Sequence, residues 1–269
     1  MLKKRLIYSL IYADGFYMLS RNFRLQKAGD INWLLQSYNF SKISFCIDEL
    51  IILDASREKK LEKFFLEDLK KLSSHCFVPV SSGGGIKNLD DAKKLFSNGA
   101  DKVIINSMLY KDPKLIENIS GKWGSQSVVA SVDVKFIDNN YFVFIYNGQE
   151  NTKIKLKNYL DNILKYPIGE IYLNSIDRDG TGQGLKFEIL SCLPKNCITP
   201  IIFCGGVGQE NHIIDGLADD RLSAVATANL FNFIGDGLNM ARKKIILSKI
   251  KIPYWSYGDA IKYKNIVKS

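Results

Sequence analysis

Short apolar runs rich in β-branched and aromatic residues alternate with amphipathic stretches along the whole chain. The runs are RLIYSLIY (5–12), ELIILD (49–54), CFVPVS (76–81), KVIIN (102–106), VVASVDV (128–134), EIYLN (170–174), PIIFC (200–204) and SAVAT (223–227). Runs that are apolar throughout read as strands buried on both faces, and helical patterns between them, such as LDDAKKLFSNGA (89–100), read as covering helices. Eight such units in 269 residues predict an α/β fold, a (β/α)8 barrel occupying residues 1–269 as one domain. VKFIDNNYFVFIYNG (134–148) reads as a hairpin inserted after the fifth strand, turning at Asp138-Asn139-Asn140, and residues 250–269 form a C-terminal extension past the eighth helix. The first run superficially resembles a secretion leader, but Asp14 interrupts it and no small-residue cleavage site follows, so a buried first strand is the better reading.

The pattern is written twice. SSGGGI (81–86) returns as FCGGVG (203–208), with Gly84-Gly85 and Gly205-Gly206 offset by 121 residues; Asp54 and Asn174 are offset by 120, and Ser107 and Asn229 by 122. Two half-barrels follow from this, and in such a fold chemistry belongs to the carboxyl ends of the strands. Gly84-Gly85 and Gly205-Gly206 each join a strand to a helix, where backbone N–H groups can approach an anion; paired tight turns are the alternative. Each loop is echoed by a second polar turn, Asn106-Ser107 and Ala228-Asn229, so two phosphate sites and a ligand phosphorylated at both ends are expected.

Three further positions carry candidate chemistry. The loop SIDRDGTGQG (175–184) combines charge with small residues: Asp177 is a substrate contact or a turn cap, Arg178 is free to pair with Asp179, and Asp179-Gly180 is the candidate contact to a substrate hydroxyl or proton. Asp133 lies inside an apolar strand, where a carboxylate is costly unless it faces a polar cavity. Its counterpart one repeat earlier is Ile11, so a mechanism using an acid and a base on opposite walls lacks one partner.

Composition narrows the class. The net charge of +9 is dispersed at helical spacing, as in KKLEKFFLEDLKK (59–71), and forms no stripe interleaved with aromatics, which argues against a nucleic-acid partner. Five cysteines without a CxxC pair, and only two histidines, fit reduced thiols in a cytoplasmic protein with no metal and no cofactor.

MLKKRLI, GGGI, GADKVIIN, GSQSVV, SVDVK, NSIDRDGTGQG and GGVG, in this order over residues 1 to 248, resemble the cyclase subunit of imidazole glycerol phosphate synthase. The resemblance implies a glutaminase partner at the amino-terminal face and ammonia passing through the barrel to a bisphosphorylated substrate. It assigns an ammonia gate to Arg5, Glu49, Lys102 and Glu170, and a partner contact to Asp101. It also assigns catalytic carboxylates to Asp133 and to position 11, and a lysine to the position held here by Leu19. With Ile11 in place, the chain is most similar to the paralogues of surface-polysaccharide gene clusters, in which barrel and glutaminase supply ammonia to a separate sugar amidotransferase. Two other readings stay open: an authentic cyclase in which Asp179, or a water near Asp54, replaces the missing carboxylate, and a non-catalytic scaffold that only activates a glutaminase.

Overall fold

The computed structural model describes residues 3–38, 43, 45–57, 59–60, 62–229 and 236–253. Most of the C-terminal extension expected over 250–269 therefore lies outside the described residues. Eight parallel strands close on themselves in the order β1 (Arg5–Ala13), β4 (Glu49–Asp54), β5 (Val80–Gly83), β6 (Lys102–Ile105), β7 (Val128–Ile137), β10 (Glu170–Ser175), β11 (Ile201–Cys204) and β12 (Ala224–Thr227), with β12 returning to β1. The seam between β7 and β10 runs in register from Val129–Glu170 to Val134–Ser175 and so completes a (β/α)8 barrel.

Strand alternation sorts the apolar residues into two cores. Leu6, Tyr8 and Leu10 of β1 face outward and join Leu50, Ile52, Val103, Val128 and Val132 against Phe65, Leu69 and Leu72 of α2 (Lys63–His75) and Ala92 and Leu95 of α3 (Leu89–Ser97). Ile7, Ile51, Ile104, Val129, Tyr172 and Ile202 face inward and fill the barrel itself. Helix α3 begins where Asn88 accepts a hydrogen bond from the Asp91 amide, and ends at Ser97, before the Gly99 turn.

The third strand begins later than its apolar pattern predicts. Residues 76–79 lead into it and pairing covers only Val80–Gly83, because Pro79 has no N–H to donate and Cys76 caps the preceding helix. The insertion after the fifth strand is also larger than a hairpin. β7 turns at Asp138-Asn139, both at positive φ, into β8 (Asn140–Ile145), which turns again at Tyr146-Asn147-Gly148 into β9 (Glu150–Lys155). A second excursion, β2 (Phe16–Arg21) and β3 (Arg24–Gly29), fills the loop after the first strand; its mixed polarity hides it in the sequence. After β10 a 3-10 segment, Phe187–Cys192, replaces the sixth helix.

The floor is tied to the last described helix, α8 (Gly237–Leu247). Arg242 donates to Asp48 Oδ1 at 2.9 Å with both side chains at most 5% exposed, and Asp48 Oδ2 accepts the Leu6 amide at 2.8 Å. Burial pushes the Asp48 carboxyl up, against the opposing pull of Arg242. Removing one partner strands a buried charge. Arg242→Met is expected to cost about 3–5 kcal/mol in urea unfolding, and adding Asp48→Asn should recover part of the loss.

Candidate active site

The floor of the barrel holds a closed ring of four charges. Each sits at the first residue of a strand and points inward by the same alternation that places Ile7 and Ile51 in the interior. Arg5 bridges Glu49 at 2.9 Å and Glu170 at 2.7 Å; Lys102 bridges Glu49 at 2.9 Å and Glu170 at 3.1 Å. Burial works against the Arg5 charge, but Glu170 and Glu49 hold its pKa above the usual value. Glu49 is 1% exposed and its second oxygen accepts the Ser81 hydroxyl at 2.5 Å. Ser81 thus joins the ring as well as the glycine motif SSGGGI, whose pattern carries no sign of this contact. Asp101 lies just outside, where its carboxylate accepts the Val80 amide at 2.8 Å beside the exposed Phe77.

Above the ring the interior is mainly apolar. Tyr172 is the exception in size and chemistry: its hydroxyl lies by Cys204 and Ser9, and burial drives its pKa far upward. Asn174 Oδ1 is buried without a hydrogen-bond partner among the described residues. A few polar atoms thus interrupt an otherwise greasy interior between floor and mouth.

At the mouth, Asp133 on β7 and Ile11 on β1 stand four strands apart in the eight-strand ring, on opposite walls. Asp133 accepts from Asn106 Nδ2 at 3.2 Å and lies beside Asn174, its neighbour across the seam. Burial, reinforced by the charge of Asp179, pushes its pKa up to about 7; Asn174 and Lys60 oppose the shift only partly. Ile11 pairs with Leu53 on one side and Met18 on the other, so the wall opposite the carboxylate is apolar. Lys60, embedded in a lysine-rich run that reads as a solvated helix face, instead reaches in: its ammonium donates to the Asp54 carbonyl at 3.1 Å and Asn147 Oδ1 at 3.2 Å. Burial lowers its pKa, against the pull of Asp54 and Asp133.

The two glycine loops adopt matching backbones. Gly84 and Gly85 have φ of 97° and 80°, Gly205 and Gly206 of 99° and 104°, a region that side chains rarely enter. A Cβ on Gly84 would run into the Asp54 backbone, and one on Gly206 into the Gly184 carbonyl. Their surroundings differ. Beside the first loop, the Ser107 hydroxyl accepts the Tyr146 amide at 3.1 Å, so the tip of the insertion leans over that end, and Asp54 Oδ1 accepts the Ser56 amide. Beside the second, a cavity of about 250 Å³ opens, lined by Gly180, Gly205, Gly206, Ala228, Asn229 and residues of the β2–β3 hairpin.

Asp179 and Asp177 are occupied as clamps. Asp179 Oδ2 accepts from the Ser20 hydroxyl at 2.5 Å and the Phe23 amide at 3.0 Å, binding the first hairpin to the loop after β10. Burial raises its pKa, and these two hydrogen bonds oppose the rise. Asp177 Oδ2 accepts the Phe136 amide at 2.8 Å and fastens the other insertion. Arg178 donates to Gln183 Oε1 at 2.9 Å instead of pairing with Asp179.

Comparison with known proteins bears on this arrangement. Residues 22–235 match the family model described as histidine biosynthesis protein. The hisF2 protein of Parasynechococcus marenigrum (strain WH8102), provisionally named an imidazole glycerol phosphate synthase subunit, is 44% identical over 91% of both chains. The imidazole glycerol phosphate synthase subunit HisF of Chlorobium phaeovibrioides is 36% identical, and that of Chlorobaculum tepidum 35%, each over 90% of this chain and 96% of its own length.

The elevated Asp133 pKa has a consequence for stability. The folded protein holds this proton more tightly than the unfolded chain, so stability is fully present near pH 4 and falls as pH rises to about 7. Asp133→Asn removes the dependence. Between pH 4 and pH 8 the native protein is expected to lose on the order of 3 kcal/mol relative to the variant in paired urea titrations; parallel pH profiles would contradict the assignment.

Proposed function

Since the chain belongs to the HisF family of imidazole glycerol phosphate synthase cyclase subunits, we propose that it works with a glutaminase and passes ammonia from the floor of the barrel to a phosphorylated ligand at its mouth, with cyclisation impaired. One observation carries the reading: the floor ring is complete while the mouth keeps only one of two opposed carboxylates. Arg5, Glu49, Lys102 and Glu170 act as the gate, and Ser81 fixes the rotamer of Glu49. Ammonia is small, neutral and able both to donate and to accept hydrogen bonds. Ser9, Tyr172 and Asn174 offer it polar stations through an interior that excludes ions. Asp101, at the floor beside Phe77, contributes to the glutaminase contact, and the chain acts in the cytoplasm.

At the mouth, the glycine loops with Asn106, Ser107, Ala228 and Asn229 hold phosphate, and Asp54, Asn174 and Asp177 border the ligand. Asp133, half ionised near neutrality, is the remaining general acid or base. Ile11 between Leu53 and Met18 cannot carry a proton, and Leu19 leaves a second proton carrier out. Ammonia therefore leaves for another acceptor, and a sugar amidated by a separate amidotransferase in surface-polysaccharide synthesis fits this division of labour.

The overall 36% identity to HisF favours one competing reading, an authentic cyclase of histidine biosynthesis. Asp179 is a poor replacement for the lost carboxylate, since Ser20 and Phe23 hold its Oδ2 and fix it as a brace to the first hairpin. Rescue of a histidine auxotroph lacking its own cyclase, with a cognate glutaminase supplied, would establish that reading.

With free ammonium, the native chain is expected to cyclise about 10²- to 10⁴-fold more slowly than a carboxylate-bearing family member, the typical effect of losing a general acid or base. Ile11→Asp should recover only part of this, because its new neighbours are apolar and Leu19 remains; family-typical turnover by the native protein would sink the proposal. Glu170→Gln opens one side of the ring, and is expected to alter ammonia transfer while leaving activation of the glutaminase intact. Unchanged transfer would favour a scaffold.

A further inference from the structure

We propose that Arg21 and Arg24 form a guanidinium pair that recognises a diphosphate group at the Gly205-Gly206 end of the mouth. The inference rests on the phosphorylated-ligand reading above and specifies the class of ligand. The β2–β3 register sets Arg21 directly opposite Arg24 at the end of the hairpin. Like charges facing each other across antiparallel strands repel. Neither arginine has a salt-bridge partner among the described residues, and both line the cavity with Gly205, Gly206 and Asn229.

The one carboxylate among the described residues of the cavity wall does not neutralise them. Asp179 spends its Oδ2 on Ser20 and on the amide of Phe23, the residue immediately before Arg24. Its role is to hold the hairpin where the two guanidinium groups reach the opening. The cavity thus combines backbone N–H groups of a glycine loop, suited to one phosphoryl group, with two forked cations beside it. A single phosphate leaves that second set of donors unused, whereas a diphosphate ester engages both. At about 250 Å³ the cavity takes only the anionic end of such a ligand and directs the remainder toward the mouth. Leu19, on the same wall, adds no charge, so among the described residues the cationic character comes from the arginines.

The test is calorimetric titration of the full chain with inorganic phosphate and with inorganic pyrophosphate, for the native protein and an Arg21→Gln/Arg24→Gln double variant. The native chain is expected to bind pyrophosphate at least about 10-fold tighter than phosphate, and the double variant to lose about 10- to 100-fold for pyrophosphate with less than about 3-fold for phosphate. Native binding of phosphate without a preference for pyrophosphate, or a variant that keeps the preference, overturns the arginine assignment and leaves the phosphate site standing. Binding of neither probe by the native chain overturns both. The ligand-free variant should unfold at the same or a higher temperature, because a repulsive pair has been removed; a lower midpoint would contradict the like-charge argument.

Discussion

The closure of β7 onto β10 is the constraint from which the rest of the molecule follows. Once eight parallel strands form a ring, every second side chain on each strand must enter one crowded interior. Position along the strand then becomes height in the barrel. First residues form the floor, middle residues the greasy interior, and last residues the mouth. Arg5, Ile7 and Ile11 on one strand, and Glu170, Tyr172 and Asn174 on another, have different chemistry because the ring gives them different heights.

The floor and the mouth use buried charge in opposite ways. At the floor, four charges alternate in sign, each touches two of the opposite sign, and Ser81 satisfies a remaining oxygen. Such a ring is held by geometry and would be costly to break at one point only. At the mouth, Asp133 has amide donors and distant cations but no direct ion pair among the described residues, so desolvation dominates and keeps its proton close to neutrality. In the proposed function the closed floor selects a neutral passenger and the poised carboxyl supplies reactivity.

The loops are cross-braced by carboxylates whose sequence context suggests chemistry. Asp177 and Asp179 bind the two insertions to the loop after β10, and Lys60 with Asn147 binds the β8–β9 tip to the loop after β4. These braces make the two ends of the mouth unequal. One glycine loop lies under the insertion and the other opens into an arginine-lined cavity, although the two loops share one backbone conformation. The internal repeat supplies equivalent scaffolds, and the insertions give them different environments.

The alternation of apolar runs and amphipathic stretches determined the barrel, because a strand buried on both faces has few other places to go. The duplicated glycine motifs determined the matching loops, because only glycine readily accepts that backbone, and the register of the repeat exposed Ile11 opposite Asp133. Charge at the strand starts was legible too, once the family resemblance gave it meaning. The sequence did not reveal the β2–β3 hairpin, the third strand of the other insertion, or the late start of β5; mixed polarity and a proline blur their periodicity. Nor could it show that Asp179 is a clamp, that Lys60 reaches inward, or that Arg21 faces Arg24 across a cavity. Those facts depend on which distant loops meet, and only the closed ring, by fixing where each strand ends, brings them together.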